Sequence, residues 1–264
     1  MKKILPTALL LLATALSAQA QTSEFAQLVP STYLPKDVNF SLGAAAISAP
    51  RYTGSDERRV FAAPLFDAQW RNGIFLSSIS GLGYNFSKDP SLQYGLRMTV
   101  EAARDESKSS KLRGLGDVDS AIEPGAFVNY VVNQNYSLSS SLRYGSGVDH
   151  NGLQLSLGGR ATTSLNTHHR LSASFGANWA NTSYMQSYFG VTPTQSANSG
   201  YTPYAPSAGF TDVKVGASWN WNIDSNWSLT TGASVKYLTG DASKSPFVFE
   251  KTPITIFSAA SYRF

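Results

Sequence analysis

Apolar and polar side chains alternate along most of this chain with the period of two that sends neighbours to opposite faces of a β-strand. Leu92, Tyr94, Leu96, Met98, Val100 and Ala102 share one parity, and Gln93, Gly95, Arg97, Thr99 and Glu101 take the other. Val213, Val215, Ala217, Trp219, Trp221 and Ile223 repeat the pattern, as do Trp227, Leu229, Ala233, Val235 and Tyr237. It predicts strands near 39–48, 58–70, 73–79, 81–87, 91–103, 120–132, 136–148, 152–166, 169–182, 209–223, 226–239 and 252–264, twelve in all. The count depends on a break at Gly81; read as one strand, 73–87 would leave eleven and move every later loop to the opposite side.

The connections alternate too. Tight polar turns at Arg71-Asn72, Lys88-Asp89-Pro90, Asn133-Gln134-Asn135, Thr167-His168 and Asp224-Ser225-Asn226 separate longer, irregular stretches at 50–57, 104–118, 184–208 and 240–251. Short turns at one end and long loops at the other are the layout of an outer-membrane barrel. The expected fold is therefore all-β: a transmembrane antiparallel up-and-down β-barrel of about 12 strands, filling 39–264, with long outer loops and short periplasmic turns.

Composition separates this reading from a water-soluble β-sandwich, the alternative for such a pattern. Charged residues make up 14% of the chain, against about 25% in average soluble proteins. The polar parity is mostly Ser, Thr, Asn, Gln and Gly, where a solvent-facing sheet carries more Lys and Glu. Trp70, Tyr84, Tyr94, Tyr130, Tyr136, Trp227 and Tyr262 stand near strand ends, where an aromatic girdle meets the membrane interface. Closing the sheet satisfies every backbone group and removes its edges, so the last strand can stop at the rim. Tyr262 and Phe264 then form a terminal aromatic signal of the kind read by the barrel assembly machinery; that machinery and outer-membrane lipid are the first expected partners.

The beginning of the chain has the three parts of a secretory signal peptide. Lys2 and Lys3 are the basic region, 4–16 the apolar core and Ala18-Gln19-Ala20 the cleavage site. The apolar run is short for a membrane-spanning helix. Residues 1–20 are expected to be removed, leaving a periplasmic stretch at 21–38 before the barrel. Without Lys2 and Lys3 the formal charge drops from +4 to +2. No block of five like charges occurs, so nucleic acid is not an expected partner. With no cysteine, stability in the oxidising envelope has to come from packing and sheet closure.

Candidate chemistry is sparse. His150 falls in a predicted outer loop and His168 and His169 in a predicted short turn, at opposite ends of a barrel, which disfavours a three-histidine metal site. His150 beside Asp149 is the one candidate for a serine-hydrolase relay. Asp105, Glu106, Asp117 and Asp119 share one loop, read as a solvated acidic loop or a loose contact for a divalent cation. Gly81-Leu82-Gly83 and Gly145-Ser146-Gly147 open no helix, so they suit barrel bends rather than a nucleotide. Arg97, Glu101, Arg143, Arg160, Lys214 and Lys236 lie on the polar parity and are expected in the lumen, as the lining of an anion-favouring pore or as an internal network. Residues 184–208 are long for a hairpin loop and rich in aromatics; Tyr188, Phe189, Gly190, Gln195, Ser199, Gly200 and Tyr204 are expected to form a plug or lid, the alternative being an ordinary surface loop. No catalytic residue, cofactor or metal is expected.

Three segments carry a family resemblance. APRYTGSDERRVFAAPLFDAQW (49–70) has P-x-Y-x-G-S followed by Arg and Pro; SYMQSYFGVTPTQSANSGYTPYAPSAGFTDV (183–213) has Tyr-Phe-Gly-Val, then Gln-Ser, Ser-Gly, Tyr and Gly-x-x-Asp; and LTGDASKSPFVFEKTPITIFSAASYRF (238–264) has Gly-Asp, Ser-Pro and a terminal Tyr-x-Phe. Together they resemble the MltA-interacting protein family, also called MipA/OmpV. The resemblance implies a non-enzymatic β-barrel in the cell outer membrane. It also implies a scaffold that links a murein lytic transglycosylase and a murein synthase to that membrane. A narrow small-solute channel or a surface adhesion protein is the alternative.

Overall fold

The computed structural model describes residues 38–264; the expected signal peptide at 1–20 and the stretch that follows it lie outside the described residues. Twelve strands make up the wall: β1 (Val38–Pro50), β2 (Arg58–Trp70), β3 (Ile74–Ser77), β4 (Gly81–Asn85), β5 (Leu92–Glu101), β6 (Ala121–Val131), β7 (Tyr136–Ser146), β8 (Gly152–Ser164), β9 (His169–Ala180), β10 (Gly209–Asn222), β11 (Trp227–Leu238) and β12 (Ile254–Arg263). Each pairs antiparallel with its neighbours, and β12 closes on β1 from Ser41↔Arg263 to Ser48↔Ile256. The alternation decides which face is which. Leu96, Met98, Ile122, Leu142, Phe175, Val215 and Tyr237 are exposed on the outside, while Gln93, Glu123, Ser141, Ser156 and Lys214 are buried on the inside. In water that outer face would be a large apolar patch; in a bilayer it is the surface lipid covers.

The break expected at Gly81 is present. Gly81 has φ of +82°, and a Cβ there would stand 2.1 Å from the Met98 carbonyl oxygen, so only glycine lets β4 begin at this point. β3 and β4 are short, however, and this decides the shape of the wall. β2 pairs along its whole length with β1 but meets β3 only at Asp67, Ala68 and Gln69, and β4 meets β5 only from Leu82↔Met98 to Asn85↔Gly95. Above those rungs the wall has a notch between the upper halves of β2 and β5.

At the short-turn end the terminal aromatics pack on the first strand. Phe264 stacks on Phe40 at 5.4 Å between ring centroids, Tyr262 meets Phe264 at 4.8 Å, and Trp227 meets Tyr262 at 5.1 Å. At the other end, the 181–208 connection is not irregular throughout. It contains α1 (Thr182–Phe189) and α2 (Pro193–Ser199). Period-two alternation says nothing of helices, but the caps are visible in the residues: Asn181 caps α1, and Thr192 with Gln195 forms a capping box behind Pro193 at the start of α2.

Candidate functional site

The loop-end half of the lumen is filled by a polar network resting on parity. Glu101 ends β5, Glu123 and Arg143 face inward from β6 and β7, and Gln154 faces them from β8. Arg143 Nη1 lies 3.2 Å from Glu101 and 3.1 Å from Glu123, and its Nη2 donates to Gln154 Oε1 at 3.0 Å. Gln154 Nε2 donates to Glu123 at 2.9 Å. From above, Tyr184 of α1 donates to Glu101 at 3.3 Å; burial pushes its hydroxyl well above the ordinary tyrosine range, which keeps it a donor. One guanidinium between two carboxylates, with amide and phenol donors closing the remaining valences, is the arrangement that lets three charges stay in a dry lumen.

Of the residues expected in the lumen, Glu101 and Arg143 come together here. Lys236 approaches Asp212 at 3.7 Å, and Lys214 is its register partner across the β10–β11 pair. Asp212 also accepts from Asn178 at 2.9 Å and from Thr211 at 2.9 Å. Arg97 donates to Ser141 at 2.7 Å and lies over the Phe127 ring. Arg160 stands apart, in a vestibule of about 800 Å³ at the short-turn end that also holds Arg170, Arg263 and Asp224. Glu123, Gln154, Asp212 and Tyr184 were not among the expected site residues. The first three occupy the inward parity of their strands, which was the available signal; Tyr184 arrives from a loop.

The cap over this network is built by four connections. Val191, Tyr52, Leu112, Leu115 and Phe247 form one buried apolar cluster, with Tyr201 and Tyr204 against it; Met185, Phe189, Ala180 and Ala242 form a second. Tyr188 stacks on Tyr184 at 4.4 Å. Gln195 donates to the Leu115 carbonyl, Ser199 to the Gln195 carbonyl at 2.6 Å, and Tyr204 to the Asp241 carbonyl at 2.8 Å. Gly190 ends α1, and Gly200, at φ of +81°, ends α2 in the left-handed conformation. So 50–57, 104–118, 182–208 and 240–251 pack as one layer.

Other candidate groups serve the loops. Asp149 accepts from Ser183 at 2.8 Å, while His150 Nδ1 faces the Gly145 carbonyl at 3.4 Å, so serine, histidine and acid do not form a relay. Glu106 accepts from the Gly114 and Gly116 amides, and Asp117 accepts from the Glu106 amide. These carboxylates knit the 104–118 loop internally. Among the described residues no group of three metal-ligating side chains converges, and no helix is long and apolar enough to cross a membrane.

A closed antiparallel barrel with an apolar outer belt, a polar lumen and long loops gathered at one end defines an outer-membrane β-barrel. Residues 42–264 match the family description MltA-interacting protein MipA, and the chain belongs to that family. No curated protein matches its sequence significantly. Solved structures of similar shape include the porin NanC (7% identity, TM-score 0.45, 86% of this chain and 100% of that one). A bacterial polysaccharide outer membrane secretin (14%, 0.46, 85% and 98%) is also similar, as is the outer membrane channel DcaP of Acinetobacter baumannii (9%, 0.41, 86% and 96%).

Proposed function

We propose that this protein is a non-enzymatic barrel that tethers murein-processing enzymes to the periplasmic face of the outer membrane. The observation that carries the reading is the filled upper lumen: the Glu101–Arg143–Glu123 network and the four-loop cap occupy the space a wide permeation path would need. The family's description as MltA-interacting supports a murein transglycosylase as partner. The short turns and the 21–38 stretch are the proposed contact surface, with a murein synthase as the second client. The separation of His150 from Ser183 and Asp149 supports the absence of hydrolysis at the rim. Pull-down with tagged protein from detergent-solubilised membranes should recover a lytic transglycosylase; recovery of assembly factors alone would remove the tether reading.

A second reading, a narrow anion-preferring channel, draws on the vestibule, where Arg160, Arg170 and Arg263 face the lumen with Asp224 as the acid among them. Planar-bilayer recording separates the two. The tether predicts near-baseline conductance in the intact chain. The channel predicts anion-selective steps that grow when 190–205 is deleted, and the plug reading of that segment fails if the deletion leaves conductance unchanged.

A further inference from the structure

The notch between β2 and β5 lies beside a cavity of about 370 Å³ under the cap, lined by Arg59, Ala102, Ala103, Arg104 and Tyr188 among others. Three of its polar atoms, Arg59 Nε, Arg104 Nε and Tyr188 Oη, are buried without a hydrogen-bond partner. Arg104 is 7% exposed; its guanidinium has one long bond, 3.4 Å to the Tyr188 carbonyl, and lies over the Phe247 ring. Burial pulls it down to about 10, so it remains charged at neutral pH. The acids at this cavity are already engaged: Glu101 with Arg143, Asp212 with Lys236, and Asp105 with Lys108. Buried donors left unsatisfied are costly, and three converging on one space mark a place for an anion.

The neighbouring wall is apolar where the rest of the lumen is polar. Ile47, Ala49, Ala63, Phe61, Leu65 and Phe257 form a cluster on the inner face of β1, β2 and β12, and Arg59 lies 4.8 Å over the Phe61 ring, joining cluster to cavity. The upper edge of β2, unpaired on its β3 side, adjoins this surface. A tilted strand crosses the hydrocarbon in about 9–11 residues, which, counted from Trp70, places the free edge of β2 at membrane depth. On the β3 side the Phe66 carbonyl accepts from the Ser78 amide and the Phe66 N–H donates to the Ser78 hydroxyl. Alternation carries that orientation to Pro64, which has no N–H to leave unsatisfied on the open edge. Irregular backbone at that depth is tolerated where it lines a cavity.

We propose that the cavity binds a single-chain anionic amphiphile drawn sideways from the membrane through this notch. Its head group lies between Arg59, Arg104 and Tyr188, and its chain lies along Phe61, Leu65 and Phe257. Purified full chain in amphipol, carrying Phe61→Trp as a reporter, is titrated with brominated dodecanoate, and the quenching added over the parent is read. Saturable quenching, weakened at least tenfold by Arg59→Gln with Arg104→Gln, is expected. Dodecyltrimethylammonium should not compete, and anionic two-chain phosphatidylglycerol should compete poorly. Absence of saturable quenching, equal affinity in the double variant, or equal competition by the cation would overturn the proposal; efficient competition by phosphatidylglycerol would overturn the single-chain assignment. Should the double variant lose its heat-modifiable folded band, Arg59→Gln alone, a change at a half-buried wall position, decides.

Discussion

The sector from β7 to β11 and the sector from β2 to β5 belong to one sheet but are built differently. In the first, long strands pair along nearly their whole length, with register shifts at Tyr144/Ser146 and Phe210/Asp212, and hydroxyls and amides bond to one another on the lumen face, as in Thr162 with Ser172 at 3.0 Å and Asn220 with Thr230 at 2.9 Å. In the second, two strands of four and five residues leave edges unpaired, and the inner surface turns apolar toward β1. A barrel stays closed as long as each strand has some partner on both sides. It does not need full-height strands, provided that loops and lumen side chains take over where the ladder stops. The β2–β5 sector is where they do so.

The largest effect is expected at Arg143 of β7, whose ion pair with Glu101 of β5 joins the two sectors. Arg143→Ala leaves Glu101 and Glu123 facing each other without their cation, and removing one partner of a buried ionic group costs about 3–5 kcal/mol. Ser172→Ala in the regular sector should cost about 1 kcal/mol, the worth of one ordinary hydrogen bond. Urea unfolding in lipid vesicles, followed by heat-modifiable mobility, compares the two; equal losses would mean that the ion network supports the barrel no more than one ordinary hydrogen bond does. Phe247→Ala should open the cap locally, since truncating a buried phenylalanine costs about 3–5 kcal/mol. Hydrogen exchange should then rise together in 104–118, 182–208 and 240–251, with β8–β11 unchanged.

Gly81→Ala tests whether the break that makes the notch is enforced by backbone geometry. A Cβ at φ of +82°, pressed on the Met98 carbonyl, should cost about 1–3 kcal/mol in strain, read as a lower folded fraction after refolding. Asn181→Ala removes the cap of α1 and should loosen that helix by about 1 kcal/mol, measured by exchange at Tyr184 and Met185. The smallest effect is acid sensitivity of the rim. The bond from Ser183 holds Asp149 below the usual carboxylate range, so its stabilising contribution is complete above the ordinary aspartate value. That contribution is lost as pH falls through the lower, folded value. The protection factor at Ser183, corrected for the intrinsic pH dependence of amide exchange, should therefore fall only below the ordinary value in the parent, and stay constant there in Asp149→Asn.

Much of this molecule was legible before its structure. Period-two alternation placed the strands, the turn chemistry separated short from long connections, and Gly81 marked the division of 73–87. Parity also assigned Arg97, Glu101, Arg143, Arg160, Lys214 and Lys236 to one face. Periodicity has no term for pairing partners across the lumen. Arg143 was visible as an inward charge, but its position between Glu101 and Glu123 was not, because that depends on strand tilt and on the stagger between β5, β6 and β7. The helices in 181–208 were missed because their signals are caps, read at three-residue spacing, inside a segment scanned for strands.

By itself, then, the order of residues determined which side chains meet lipid and which meet the lumen, because a strand turns each successive side chain to the opposite face whatever surrounds it. Only the closed tertiary structure decided how high β3 and β4 rise, which loops share a core above the barrel, and where Arg59, Arg104 and Tyr188 meet. Those contacts join residues far apart in the chain, and curvature, stagger and loop packing set them together.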